Sequence, residues 1–63
     1  IMYTYKTLKE AIKQLEFCWK NNDKILSKKG HKNLLKAIET IKKNSCVKYY
    51  DTYFFVDEYN ILN

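Results

Sequence analysis

The sequence contains no proline, no arginine, a single glycine and two cysteines, and it has no apolar run approaching the eighteen or so residues that cross a bilayer as a helix. Each scarcity excludes something. Without a glycine-rich loop there is no nucleotide-phosphate cradle. Without arginine, base-specific reading of DNA loses its commonest contact, the bidentate pairing of Arg with guanine. Cys18 and Cys46, with His31 as the only histidine, are too few for a four-ligand structural zinc site, and their spacing matches no metal motif. The two cysteines are therefore expected to be reduced and to act as small buried hydrophobes, and no cofactor is expected. No signal-peptide pattern of basic, apolar and small-residue regions appears in the sequence, so a cytoplasmic location away from membranes is the default expectation. Ile1 ahead of Met2 reads as an added residue, with Met2 the native start.

At 63 residues the chain has room for one small domain spanning 1–63, and barrels and doubly wound sheets are out of reach. A hydrophobic fraction of 46% and an aromatic fraction of 16% are too high for disorder, so the chain is expected to fold. Lys, Asn, Ile, Tyr, Phe and Met make up 34 of the 63 residues, the signature of a very AT-rich genome. That bias explains part of the lysine content without any function. In size and codon character the chain resembles the short proteins with which phages and other mobile elements interfere with host machinery, inhibitors of CRISPR defence included. Among such inhibitors, mimics of DNA must be acidic, and this chain carries a net charge of +5.

The pattern Thr7-x-x-Glu10 reads as a capping box. Leu8, Ala11, Ile12, Leu15, Cys18 and Trp19 follow at three- and four-residue spacing, which predicts a helix over 8–21. Phe17 falls nearly opposite Trp19, among lysines. Met2 to Tyr5 alternates strand formers and predicts a brief edge strand. Asn22 and Asp23 can cap a short third helical segment over Lys24 to Lys29, with Gly30 as its turn or C-cap. A second main helix carries Leu34, Ala37, Ile38 and Ile41 on one side, and Asn44 and Ser45 end it. From Cys46 to Val56 the residues become β-branched and aromatic. A turn at Asp51–Thr52 would set Val47 across from Val56 and Tyr49 across from Phe54, which favours a hairpin, although Thr52 tolerates positive φ poorly. One long strand is the alternative. A second turn over Asp57 to Asn60 would fold Ile61 and Leu62 back on the sheet. The expected fold is α+β, with two main helices and a short third packed on a small antiparallel sheet formed mainly by the C-terminal segment.

Two sets of residues are candidates for contact. Lys28, Lys29, Lys32, Lys36 and Lys43 form a basic cluster able to meet phosphates or an acidic partner. Phe17, Tyr50, Tyr53, Phe55 and Tyr59 form an aromatic set suited to a protein interface, because such side chains bring large area at small entropic cost. No nucleophile, acid–base or metal constellation accompanies them, so the chain is not expected to be an enzyme. The expectation is a non-catalytic binding protein acting on a host protein or nucleoprotein complex, with nucleic-acid binding as the alternative. A homodimer is also expected, through the short, lightly charged terminal strands.

Overall fold

The computed structural model describes residues 1–57. Its elements run β1 (Met2–Tyr5), α1 (Leu8–Asn22), α2 (Lys28–Asn44), β2 (Cys46–Tyr49) and β3 (Thr52–Val56), an α+β fold of two helices on a three-stranded sheet. The sheet order is β1-β3-β2. β2 pairs antiparallel with β3 as a hairpin, whereas β1 joins the other side of β3 in parallel. The sheet is thus mixed rather than purely antiparallel. The N-terminal strand supplies the parallel edge, and β3 becomes the central strand.

Thr7 caps α1, its Oγ1 accepting the Glu10 backbone N–H at 3.1 Å. The helix buries Ala11 and Leu15, while α2 buries Leu34, Ala37 and Ile41. These side chains meet Val47, Tyr49, Phe54 and Val56 in one core, with Leu15 and Ile41 as its largest fully buried residues. α1 lies over β1 and β3, and α2 over β2 and β3. Both helices therefore cover the same face of the sheet.

Two expectations are corrected here. No third helix forms over Lys24–Lys29. Asp23 to Ser27 is a tight connection, and Ser27 caps an α2 that runs through Gly30. Gly30 is accordingly not a C-cap but the third residue of the helix, its N–H donating to Ser27 Oγ at 3.0 Å. The reason is a knot around Asp23, whose Oδ2 accepts from Trp19 Nε1 (3.1 Å), Ser27 N (2.9 Å) and Ser27 Oγ (3.0 Å). A β-carbon at residue 30 would fall on Asp23 Oδ2 and lie 2.9 Å from its Cγ, so only glycine leaves the carboxylate room.

The hairpin exists, but its register differs. Val47 pairs with Phe54 and Tyr49 with Thr52, so the loop is Tyr50–Asp51 rather than Asp51–Thr52. This puts Thr52 in a strand, where its β-branch is welcome, and transfers the positive φ to unbranched Tyr50 (φ 53°). Because the partner of each β2 residue moves by two positions, every side chain that remains in a strand keeps its face. Val47, Tyr49, Phe54 and Val56 remain in the core. Ser45, at φ 62°, ends α2 in a left-handed conformation and starts the turn into β2. Tyr59 and the turn expected over Asp57–Asn60, with Ile61 and Leu62, extend beyond the described residues.

Candidate functional site

The face of the sheet turned away from the helices is defined by strand alternation. With Tyr3, Tyr5, Val47, Tyr49, Phe54 and Val56 on the helix side, the opposite face carries Met2, Thr4, Cys46, Lys48, Tyr53 and Phe55. No described element covers it. Tyr53 and Phe55 occupy its central strand, their rings stacked at 6.5 Å with an interplanar angle of 21°. Lys48 Nζ sits 5.6 Å from the centre of the Tyr53 ring, within cation–π range. None of the six outward residues is acidic.

Tyr50 and Phe17 do not share that face. Tyr50 has moved into the hairpin loop, where its ring meets Tyr49 edge-on at 4.6 Å. Phe17, 60% exposed, stands on the helix side of the molecule beside the β1 edge. It lines a cleft of about 390 Å³ with Tyr3, Tyr5, Gln14, Asn21 and Thr52. The aromatic set is thus three separate features, because one-dimensional spacing cannot say which helix face lies beside which strand. Sequence reasoning missed Met2, Thr4 and Cys46 as members of the open face. Once β1 is paired in parallel with β3, strand alternation assigns them.

All five lysine candidates are exposed on α2. At about 100° per residue, Lys29, Lys32, Lys36 and Lys43 fall within an arc of about 60° opposite the buried Leu34–Ile41 stripe, over about 21 Å of axis. Lys28 lies about 40° outside this lysine arc. The helix holds six lysines and one glutamate, and the rest of the chain holds six lysines and six acids. The whole net charge of +5 therefore resides on α2. The first turn of this helix contains no acid of its own, and its positive end is met by the Asp23 carboxylate, which accepts from Ser27 N and Ser27 Oγ.

The cysteines correct one further expectation. Cys18 is half-buried on the core side of α1, but Cys46 is exposed on the open sheet face, and both are free. Burial pushes the Cys18 thiol above its ordinary pKa, although the Asn22 amide hydrogen bond opposes this. An activated thiol nucleophile needs the reverse shift. His31 is exposed, with its ring 5.3 Å from that of Trp19. Among the described residues no group of three His, Cys, Asp or Glu side chains is placed to hold a metal ion, and no helix is long and apolar enough to cross a membrane.

Compared with protein-family models, curated proteins and solved structures, the chain matches none.

Proposed function

We propose that the chain is a non-catalytic binding protein that occupies a surface on a host protein or nucleoprotein complex and thereby inhibits or modulates it. The observation that carries this reading is the uncovered sheet face, where Tyr53 is 42% exposed at the centre of the sheet beside half-buried Phe55. Aromatic side chains on a flat, rigid platform anchor interfaces well, because they bury area without losing much side-chain freedom. The α2 lysines sit on the opposite side of the molecule and would steer it toward an acidic or nucleic-acid-bearing partner, raising the rate of encounter. The raised thiol of Cys18 fits a structural residue and not a nucleophile. Cytoplasmic action and a phage or mobile-element source belong to the same proposal and rest on composition. So does self-association, since a core this small gains from burying the surface of a second copy.

The test is capture from a low-GC bacterial host extract by the native chain and by a Tyr53→Ala/Phe55→Ala variant whose circular dichroism is unchanged. A partner held by the first and lost by the second supports the proposal. Equal capture by both removes the sheet face from it.

A second reading has its own observation, the concentration of the entire net charge on α2 with two lysines at its N-terminus. A lysine-rich helix face suits phosphates, and the chain would then bind nucleic acid without reading its sequence. Titration of labelled single- and double-stranded DNA and RNA at two salt concentrations separates the readings. Tight binding with a steep salt slope, weakened by Lys32→Glu/Lys36→Glu, supports the nucleic-acid reading, and no binding leaves the protein partner.

A further inference from the structure

Among the described residues the sheet has two unpaired edges, and they are unlike. In β2 the ladder fixes which groups point out: Val56 N donates to Ser45 O at 2.9 Å, so Ser45, Val47 and Tyr49 face β3, and Cys46 and Lys48 direct their N–H and C=O groups outward. That edge carries a lysine side chain and runs beneath basic α2. Charge of this kind is how native sheets discourage edge pairing. In β1, Tyr53 N donates to Ile1 O and Asp57 N donates to Tyr5 O, both at 2.9 Å, so the odd-numbered residues face β3. Met2 and Thr4 therefore turn their N–H and C=O groups outward. The strand Met-Tyr-Thr-Tyr has no charge, no proline and no overlying lysine stripe.

Exposed apolar side chains gather at this same edge. Met2 is 69% exposed, Tyr3 50% and Phe17 60%. On the α1 flank above them, Phe17 stands between Gln14 and Asn21 on one side and Lys13 and Lys20 on the other, with Glu10 about two turns earlier on the same side. Phe17 lines one cleft with Tyr3, on the helix side of β1.

We propose that the β1 edge is a homodimer interface, at which two copies pair their β1 strands antiparallel about a two-fold axis through Tyr3. Met2 of one copy then lies opposite Thr4 of the other. Both are residues with outward backbone groups, so the two equivalent pairs exchange about four N–H···O=C bonds. Tyr3 and its symmetry mate meet across the axis on the helix side, where the two Phe17 rings close over them. The sheet becomes six-stranded. The occupant is a second copy because the edge is self-complementary, and because α2, with all the net charge, sits over the far strand β2 and so at the outer end of each copy. Two molecules that each carry +5 then meet at the sides away from their most highly charged helix. This interface differs from the terminal strands expected from sequence to dimerise, and it leaves the Tyr53–Phe55 face free in both copies.

Sedimentation equilibrium from about 1 to about 300 µM tests it, this range covering the weak affinities typical of small interfaces. The mass is expected to rise from 7.6 kDa toward twice that value. Phe17→Lys, at an exposed position, is expected to keep the mass monomeric throughout. So is Thr4→Pro, which deletes an outward N–H and leaves the β1–β3 ladder intact. Should Thr4→Pro lose its circular dichroism spectrum, Thr4→Lys takes its place by charging the strand edge. A wild-type chain that stays monomeric overturns the proposal, as does a dimer that survives either substitution. Tyr53→Ala/Phe55→Ala is expected to retain the dimer. Loss of the dimer there places the contact on the open sheet face and overturns the proposal, whereas loss of partner capture alone concerns only the binding reading.

Discussion

Replacing Gly30 by alanine inverts a familiar rule. Inside a helix the change ordinarily stabilises by about 0.5–1 kcal/mol, because alanine has less backbone freedom to lose. At residue 30 the added methyl group falls on Asp23 Oδ2 and lies 2.9 Å from Asp23 Cγ and 3.1 Å from Ser27 Oγ. To make room the carboxylate must swing away from Trp19 Nε1, Ser27 N and Ser27 Oγ, all of which it binds through the same oxygen. Hydrogen bonds to charged groups contribute roughly 1.5–3 kcal/mol when well buried. These are only part-buried, so about 0.5–1 kcal/mol each is the fair scale. Setting the propensity gain against that loss leaves a destabilisation of about 1–2 kcal/mol, a fall in melting temperature of roughly 5–15 °C for a domain of this size. Urea denaturation followed by circular dichroism measures it. Asp23→Ala alone should destabilise by a similar amount, and in that background Gly30→Ala should become neutral or mildly stabilising. If Gly30→Ala stabilises the wild-type chain, the knot is not rigid and the reasoning fails.

Other consequences follow from the core and the caps. Among the described residues Tyr49 Oη is buried without a hydrogen-bond partner, so Tyr49→Phe should raise stability by about 0.5–1 kcal/mol in urea melts; a loss would mean that the hydroxyl is satisfied. Burial also pushes the Tyr49 phenol well above its ordinary 10.0, with the neighbouring Tyr50, Cys18 and Asp23 acting in the same direction. The folded chain thus keeps a proton that the unfolded chain releases, so stability should be full below about pH 10 and fall above it. The urea midpoint should show less of that alkaline fall in Tyr49→Phe. Leu15→Ala or Ile41→Ala removes a fully buried side chain and should cost about 2–5 kcal/mol, enough to unfold much of a marginal domain at 37 °C by circular dichroism. Thr7→Ala should cost about 1 kcal/mol in the same assay by freeing the Glu10 N–H.

Local chemistry determined much of this protein. Helix periodicity, the Thr7 cap, the edge strand at Met2–Tyr5, the core residues of the hairpin and the exposed lysines of α2 were legible because each depends on neighbours within about one turn or one strand pair. Even the misplaced hairpin loop cost nothing in facing, since a two-residue shift in pairing preserves side-chain alternation. What tertiary structure alone decided depends on contacts between distant segments. Gly30 looked like a terminator because a glycine after a lysine run usually ends a helix. Its real constraint is a carboxylate seven residues earlier that needs the space of its missing side chain. The parallel placement of β1 beside β3 joins residues more than fifty positions apart, and no local pattern encodes it. That pairing put Met2 and Thr4 on the face of Tyr53 and Phe55, and set Phe17 beside Tyr3 instead. Spacing along a chain reports which residues share a face of one element, whereas only packing between elements reports which faces meet.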